Sequence, residues 1–259
     1  MATAQSGHGR IEIFEDFVGA EHIVAETAAS GAIGSLRVIG DGIAETDSGV
    51  VNLESGGLSG VARLTTTNED KHGCYLATPV MFDVALNGPL VLEARVKVQA
   101  VANRAMFIGF SDVNADALSL EDDLIHGNGT TTTLTASDLV GFHFSSEYTD
   151  ATDWHTVYNG GTTTGETTST SLDVDDVAAA DVWQILRVEI APNGTAFFYI
   201  DGVAVGGSDS AKKNGVSGAV STTVDLAAIV GVESKTTSVL DMDVDYIYIS
   251  ANRDWTTGA

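Results

Sequence analysis

Residues 183 to 207, WQILRVEIAPNGTAFFYIDGVAVGG, constrain the fold of this chain more than any other stretch. Leu186, Val188 and Ile190 alternate with Arg187 and Glu189, the period of a strand buried on one face of a sheet. Asn193-Gly194 tolerates positive φ at both central turn positions, so the chain reverses there and Ala196, Phe198 and Ile200 run back alongside. A second turn signal, Asp201-Gly202, ends the returning strand. These residues specify a hairpin in a β-sandwich, with Trp183, Leu186, Val188, Phe198 and Ile200 in or beside its core.

The same alternation recurs along the chain. Strands are predicted at 11–17, 61–64, 90–98, 104–110, 139–144, 182–190, 196–200, 226–232 and 240–249, whereas no amphipathic helix longer than two turns can be drawn. Three prolines and abundant Gly, Thr, Asn and Asp between the strands suit tight turns, and no period of 20–50 residues repeats. The predicted fold class is all-β, a jelly-roll sandwich of two antiparallel sheets. It divides into a flexible arm over 1–10, one sandwich domain over 11–250 and a tail over 251–259.

Charge restricts the partners. Twelve Lys and Arg face 36 Asp and Glu, a formal net charge of −24, which repels nucleic-acid phosphates and anionic lipid headgroups. Nucleic acid and membrane are therefore not expected partners. Cys74 is the single cysteine, so an intrachain disulfide is excluded and a buried structural thiol is expected. The start, MATAQSGHGRIEIFEDF, lacks a basic segment followed by an apolar one, which points to cytosolic synthesis without Sec export.

Three groups of residues merit a chemical interpretation. SSEYTDATDWHTVYNGG is the most aromatic loop-like stretch, and Tyr148, Trp154, His155 and Tyr158 form the candidate surface for a sugar or protein partner; the competing assignment places Trp154 and Tyr158 in the core. Asp112, Asn114 and Asp116 give D-x-N-x-D after a strand, the spacing that lets three oxygens converge on one weakly held calcium ion. Ala117 stands where an EF-hand loop needs Gly, so an Asx-turn competes with the metal site. Apart from this calcium, no cofactor is expected.

Asp241, Asp243 and Asp245 lie two residues apart, hence on one strand face, the geometry from which paired carboxylates could hydrolyse a glycoside. The alternative is charge pairing across the sheet with Arg95, Lys97 or Arg187. No H-E-x-x-H, G-x-S-x-G, Walker or dinucleotide fingerprint occurs, and the expectation is a protein that is not an enzyme.

The Trp183 hairpin resembles that of concanavalin A-like, laminin-G-like jelly-roll domains. With Phe14-Glu15-Asp16-Phe17, Leu92-Glu93-Ala94-Arg95-Val96-Lys97, Phe107-Ile108-Gly109-Phe110, Gly141-Phe142-His143-Phe144 and Asp243-Val244-Asp245-Tyr246, it resembles a group of tailed-bacteriophage virion proteins with lectin-like domains. That resemblance implies a non-enzymatic decoration or cement protein on the outer capsid surface, made in the host cytoplasm. Its partner would be the major capsid protein, and it would be present as a homo-oligomer or in multiple copies. The alternative it implies is a carbohydrate-binding adhesin or fibre module docking to host-surface glycans.

Overall fold

A computed structural model describes residues 9–18, 31–43, 49–52, 60–206 and 214–253. Most of the N-terminal arm, 1–8, and the end of the tail, 254–259, lie outside the described residues. Arg10 and Asn252, placed by the sequence in arm and tail, instead pair with each other at the ends of two strands.

Two antiparallel sheets face each other. The first has eight strands, in the order β17 (Val203–Val205), β16 (Ala196–Ile200), β15 (Gln184–Ile190), β8 (Leu90–Val98), β19 (Asp241–Asn252), β5 (Ala62–Thr65) and β4 (Gly49–Asn52), with β1 (Arg10–Glu15) also paired to β19. The second has nine, in the order β14 (Asp173–Val177), β13 (Asp153–Asn159), β12 (Leu139–Ser145), β9 (Arg104–Ser111), β18 (Asp225–Ser234), β6 (Gly73–Ala77), β3 (Leu36–Ile39) and β2 (Gly31–Ile33). In this sheet β7 (Phe82–Asp83) pairs with the start of β18. A separate hairpin of β10 (Ile125–Asn128) and β11 (Thr131–Leu134) lies between β9 and β12 in the chain.

The first sheet is buried on one face only. β15 and β16 alternate strictly between buried and half-buried residues, as their sequence alternates between apolar and polar. The second sheet is buried on both: β6, β9 and β12 are buried at every position. The inner faces meet in a core where the Phe142 and Phe198 rings pack edge to face at 5.7 Å, one from each sheet. Cys74 lies in this core, and burial pushes its thiol up to about 12.

The key hairpin turns differently from expectation. Gly194 has φ +77° while Asn193 does not enter the left-handed region, and the Gly194 N–H donates to the Ala191 carbonyl at 2.9 Å. Pro192 is the reason: its ring fixes φ near −65°, which selects a type I turn over 191–194 followed by a left-handed glycine. The two-residue turn with positive φ at both positions is found instead at Asp201 (+50°) and Gly202 (+80°), between β16 and β17.

Phe198 is 2% exposed. Phe198→Ala is therefore expected to destabilise the fold by about 3–5 kcal/mol in denaturant titration; a loss below about 1 kcal/mol would contradict this packing of the two sheets.

Candidate binding surface

The second half of the aromatic stretch read as a loop is strand β13, and the candidate residues turn inward. Trp154 and Tyr158 face the core between the sheets, with the Trp154 indole N–H donating to Gln184 Oε1 at 3.1 Å and its ring edge-on to Phe142 and Phe144. Tyr148 and His155 lie on the opposite side of the second sheet, equally buried. Tyr148 stacks on His155 at 4.2 Å, and its hydroxyl bonds Thr132 Oγ1 at 2.7 Å and His143 Nδ1 at 3.1 Å. Burial raises the Tyr148 phenol and lowers both imidazoles, His155 to about 4. An aromatic ring that stacks on a sugar must be open to solvent, so these four residues do not form the expected surface. Tyr148, stacked on His155, fastens the β10–β11 hairpin over the second sheet, while Trp154 and Tyr158 belong to the core between the sheets. The threonine run Thr130 to Thr133 is part of that hairpin.

On the same side, the central strands of the second sheet are closed to solvent. Across it, Tyr75, Gly231, Phe107, His143 and His155 stand directly opposite one another on successive strands. The Tyr75 ring lies over Gly231 and Gly73, and the Phe107 ring over Gly109 and Gly141; a Cβ at any of the four would come within 3.0 Å of a ring atom. Glu233, on the same side, is fully buried and raised to about 8 by desolvation, against which hydrogen bonds from Leu120 N, Tyr75 and Ser119 act.

The D-x-N-x-D residues are drawn to separate partners. Asp112 Oδ1 accepts the Asp138 N–H at 3.2 Å, Asn114 Nδ2 donates to the Thr78 carbonyl, and Asp116 pairs with Arg37. Asn114 Oδ1 is buried and unpartnered among the described residues. A cation held by all three would have to draw Asp116 from Arg37.

The carboxylate strand β19 leads to a different surface, the outer face of the first sheet. A bulge between Val244 and Tyr246 interrupts the period-two spacing, so Asp243 and Tyr246 stand opposite Lys97 and Arg95. Asp243, fully buried, accepts Arg63 Nε at 2.7 Å, Gln99 Nε2 at 3.1 Å and Lys97 Nζ at 3.3 Å. Asp245 Oδ2 takes Arg95 Nη1 at 2.6 Å, and Arg187 bridges Glu189 (2.6 Å) and Glu93 (3.2 Å). Glu93 also accepts the Tyr246 hydroxyl at 2.8 Å. Asp243 and Asp245 are engaged by cations, as in the cross-sheet pairing alternative, while Asp241 Oδ1 accepts the Thr65 hydroxyl at 2.8 Å.

Rings stand between these ion pairs. Tyr199 lies opposite Arg187, Phe197 opposite Glu189, and Tyr248 opposite both Glu93 and Phe14. Phe14, 50% exposed, packs at 5.8 Å on Tyr246. Trp183, expected near the core, is half-buried on this outer face under Arg95 (4.8 Å) and Lys97 (5.0 Å). Sequence reasoning missed this lattice as a unit, although each strand's alternating polar positions carried it.

The fold is the concanavalin A-like jelly roll. No family model matches the chain, and no curated protein matches it. Among solved structures, it is similar to a protein of unknown function from Shewanella oneidensis MR-1, at TM-score 0.55 and 12% identity over 97% of this chain and 90% of that one. It also matches the Emp46p carbohydrate recognition domain in its potassium-bound form (TM-score 0.47, 11% identity, 83% and 88% coverage). The kappa-carrageenase of Pseudoalteromonas carrageenovora matches at TM-score 0.47 and 11% identity, with 98% and 100% coverage. At such identities the likeness is one of fold.

Asp243→Asn is expected to cost about 2–3 kcal/mol of unfolding free energy, because it weakens several charge-assisted bonds to one buried carboxylate. Asp245→Asn, at a wetter position, is expected to cost less than about 1 kcal/mol. Equal effects in denaturant titration would contradict the lattice's ranking of the two carboxylates.

Proposed function

We propose that this protein is a non-enzymatic recognition module whose outer first-sheet face docks an uncharged glycan. The observation that supports this most directly is the interleaving of half-buried rings with fixed, mutually neutralised charges. Tyr199, Tyr246, Tyr248 and Phe14 offer apolar faces to the C–H side of a pyranose, while Arg187, Glu93, Glu189, Arg95 and Asp245 hold polar atoms at set positions beside them. Among the described residues, the cations on this face, Arg10, Arg63, Arg95, Lys97 and Arg187, meet Glu12, Asp241, Asp243, Asp245, Glu93 and Glu189, so the surface is within one charge of neutral on a chain of net charge −24. Such balance suits neutral sugars over sulfated or sialylated ones.

A second role is compatible with the first: decoration of the outer head of a tailed phage, with the major capsid protein as partner and several copies per virion. The motif resemblance supports it, as does an acidic exterior that packaged DNA would repel. Phe14 and Val18, 50% and 61% exposed, offer apolar contacts for a neighbouring subunit.

A glycan panel divided into neutral and anionic members tests the proposal. Binding confined to neutral glycans is expected, with Tyr199→Ala and Tyr248→Ala each weakening it by about tenfold or more, a loss of about 1.4 kcal/mol or greater. Preference for anionic glycans, or binding indifferent to both substitutions, would contradict it. Stoichiometric co-sedimentation with capsids, without glycan binding, would leave the decoration role alone.

A further inference from the structure

Lys235 lies just past β18 with a side chain only 2% exposed, beneath the π-helical turn Leu120–Leu124. Lysine is almost never so enclosed unless its ammonium is paired. Its Nζ contacts Glu121 Oε2 directly and lies 3.0 Å from Glu147 Oε2 and 3.9 Å from Glu233 Oε1. Glu121 Oε1 also takes Lys71 Nζ at 3.2 Å and lies 3.7 Å from His126 Nδ1. Glu233 is held rigidly: Oε2 accepts the Leu120 N–H, the Ser119 hydroxyl at 3.1 Å and the Tyr75 hydroxyl at 3.1 Å.

Burial lowers the Lys235 amine to about 8 and raises the Glu233 carboxyl to about 8, so a proton moves between such groups at small cost near neutral pH. An uncharged amine pressed against one carboxyl, with a second carboxyl beside it to carry a proton, has the groups that amide formation requires. Contact within a packed site replaces the concentration that the same condensation lacks in water.

We propose that Lys235 Nζ and Glu121 Cδ form an intramolecular isopeptide bond, with Glu233 as the proton carrier. The pair starts as ammonium and carboxylate: Glu233 takes one proton from Nζ and passes it to a Glu121 oxygen, and the freed nitrogen lone pair adds to Cδ. A second proton carried from the nitrogen to that oxygen lets it leave as water. The C–N bond forms, one C–O bond breaks, and the products are an amide and one water; no oxidant, reductant or activated donor is consumed. The bond would tie the turn covering the second sheet to the end of β18, 114 positions away. It would also remove an ion pair from a site where charges are poorly solvated.

The same neighbourhood brings Glu121, His126 and Glu147 together, with one ligand atom from each lying within 4.8 Å of the others. The Lys235 ammonium already contacts both carboxylates, so a metal ion there would have to expel it.

Mass spectrometry of the denatured full chain tests the proposal. The expected mass is one water below that of the sequence, with a proteolytic digest yielding a branched peptide that joins the segments around residues 121 and 235. Lys235→Arg keeps the charge but cannot condense, and Glu121→Ala removes the acceptor; each is expected to show its full mass and separate linear peptides. Glu233→Gln is expected to slow the loss of water severalfold or more. Linear peptides from folded wild-type protein would overturn the proposal, as would a loss of water that persists in Lys235→Arg. Cross-linking unaffected by Glu233→Gln would overturn the role given to Glu233.

Discussion

A nine-stranded sheet whose central strands have no wet face is the constraint from which the rest of this structure follows. One side of the second sheet packs on the first sheet, as in any sandwich; the other is closed by rings lying flat over glycines. Gly231, Gly109 and Gly141 cost backbone entropy in strand interiors, by roughly 0.5–1 kcal/mol each relative to alanine. They permit the Tyr75 and Phe107 rings to lie against the sheet, and each ring buries far more apolar surface than a methyl group would. Over these rings sit the Leu120–Leu124 turn and the β10–β11 hairpin, the turn held at Glu233 and the hairpin at Tyr148. The proposed ligand face is accordingly that of the first sheet.

That face shows how a strongly acidic chain uses scarce cations. Among the described residues, Arg10, Arg63, Arg95, Lys97 and Arg187 stand on it, each paired with a carboxylate from its own or a neighbouring strand. Exposed pairs of this kind add little stability one at a time. Their effect is geometric: Arg187 fixed between Glu93 and Glu189 holds polar atoms beside Tyr199, and Glu93 in turn orients the Tyr246 hydroxyl. Asp243 differs from the others because it is fully buried and shared by Arg63, Gln99 and Lys97.

What the sequence made legible follows the same division. Strands wet on one face, such as β8, β15 and β16, announce themselves by alternation, and so the sandwich and the cross-sheet pairing of Asp243 and Asp245 could both be read from residue order. Strands covered on both faces lose that signal. GCYLA in β6 has no alternation to detect, and DWHTVYN in β13 looks like a polar aromatic loop because its second face meets protein where alternation presumes water. That is why the sequence groups His155 with Tyr148 on a candidate surface and leaves Trp154 and Tyr158 divided between surface and core, where the structure places both in the core. The type I turn before Gly194 was hidden by attention to Asn-Gly alone, although Pro192 one residue earlier decides it. The lattice of rings and ion pairs needed register, since Tyr199, Arg187, Glu93, Tyr248 and Phe14 become neighbours only when five strands are aligned.

The central claim is that the second sheet is sealed on its outer side by a cover that belongs to the folded core. Native-state hydrogen exchange resolved to single amides reads this directly. The account expects the paired amides of β10 and β11 to open only with the global unfolding that exposes β9, β12 and β18, at the same free energy. Exchange of the hairpin at a much lower free energy, while β9 and β18 stay protected, would show a loose flap over an accessible face and contradict the account.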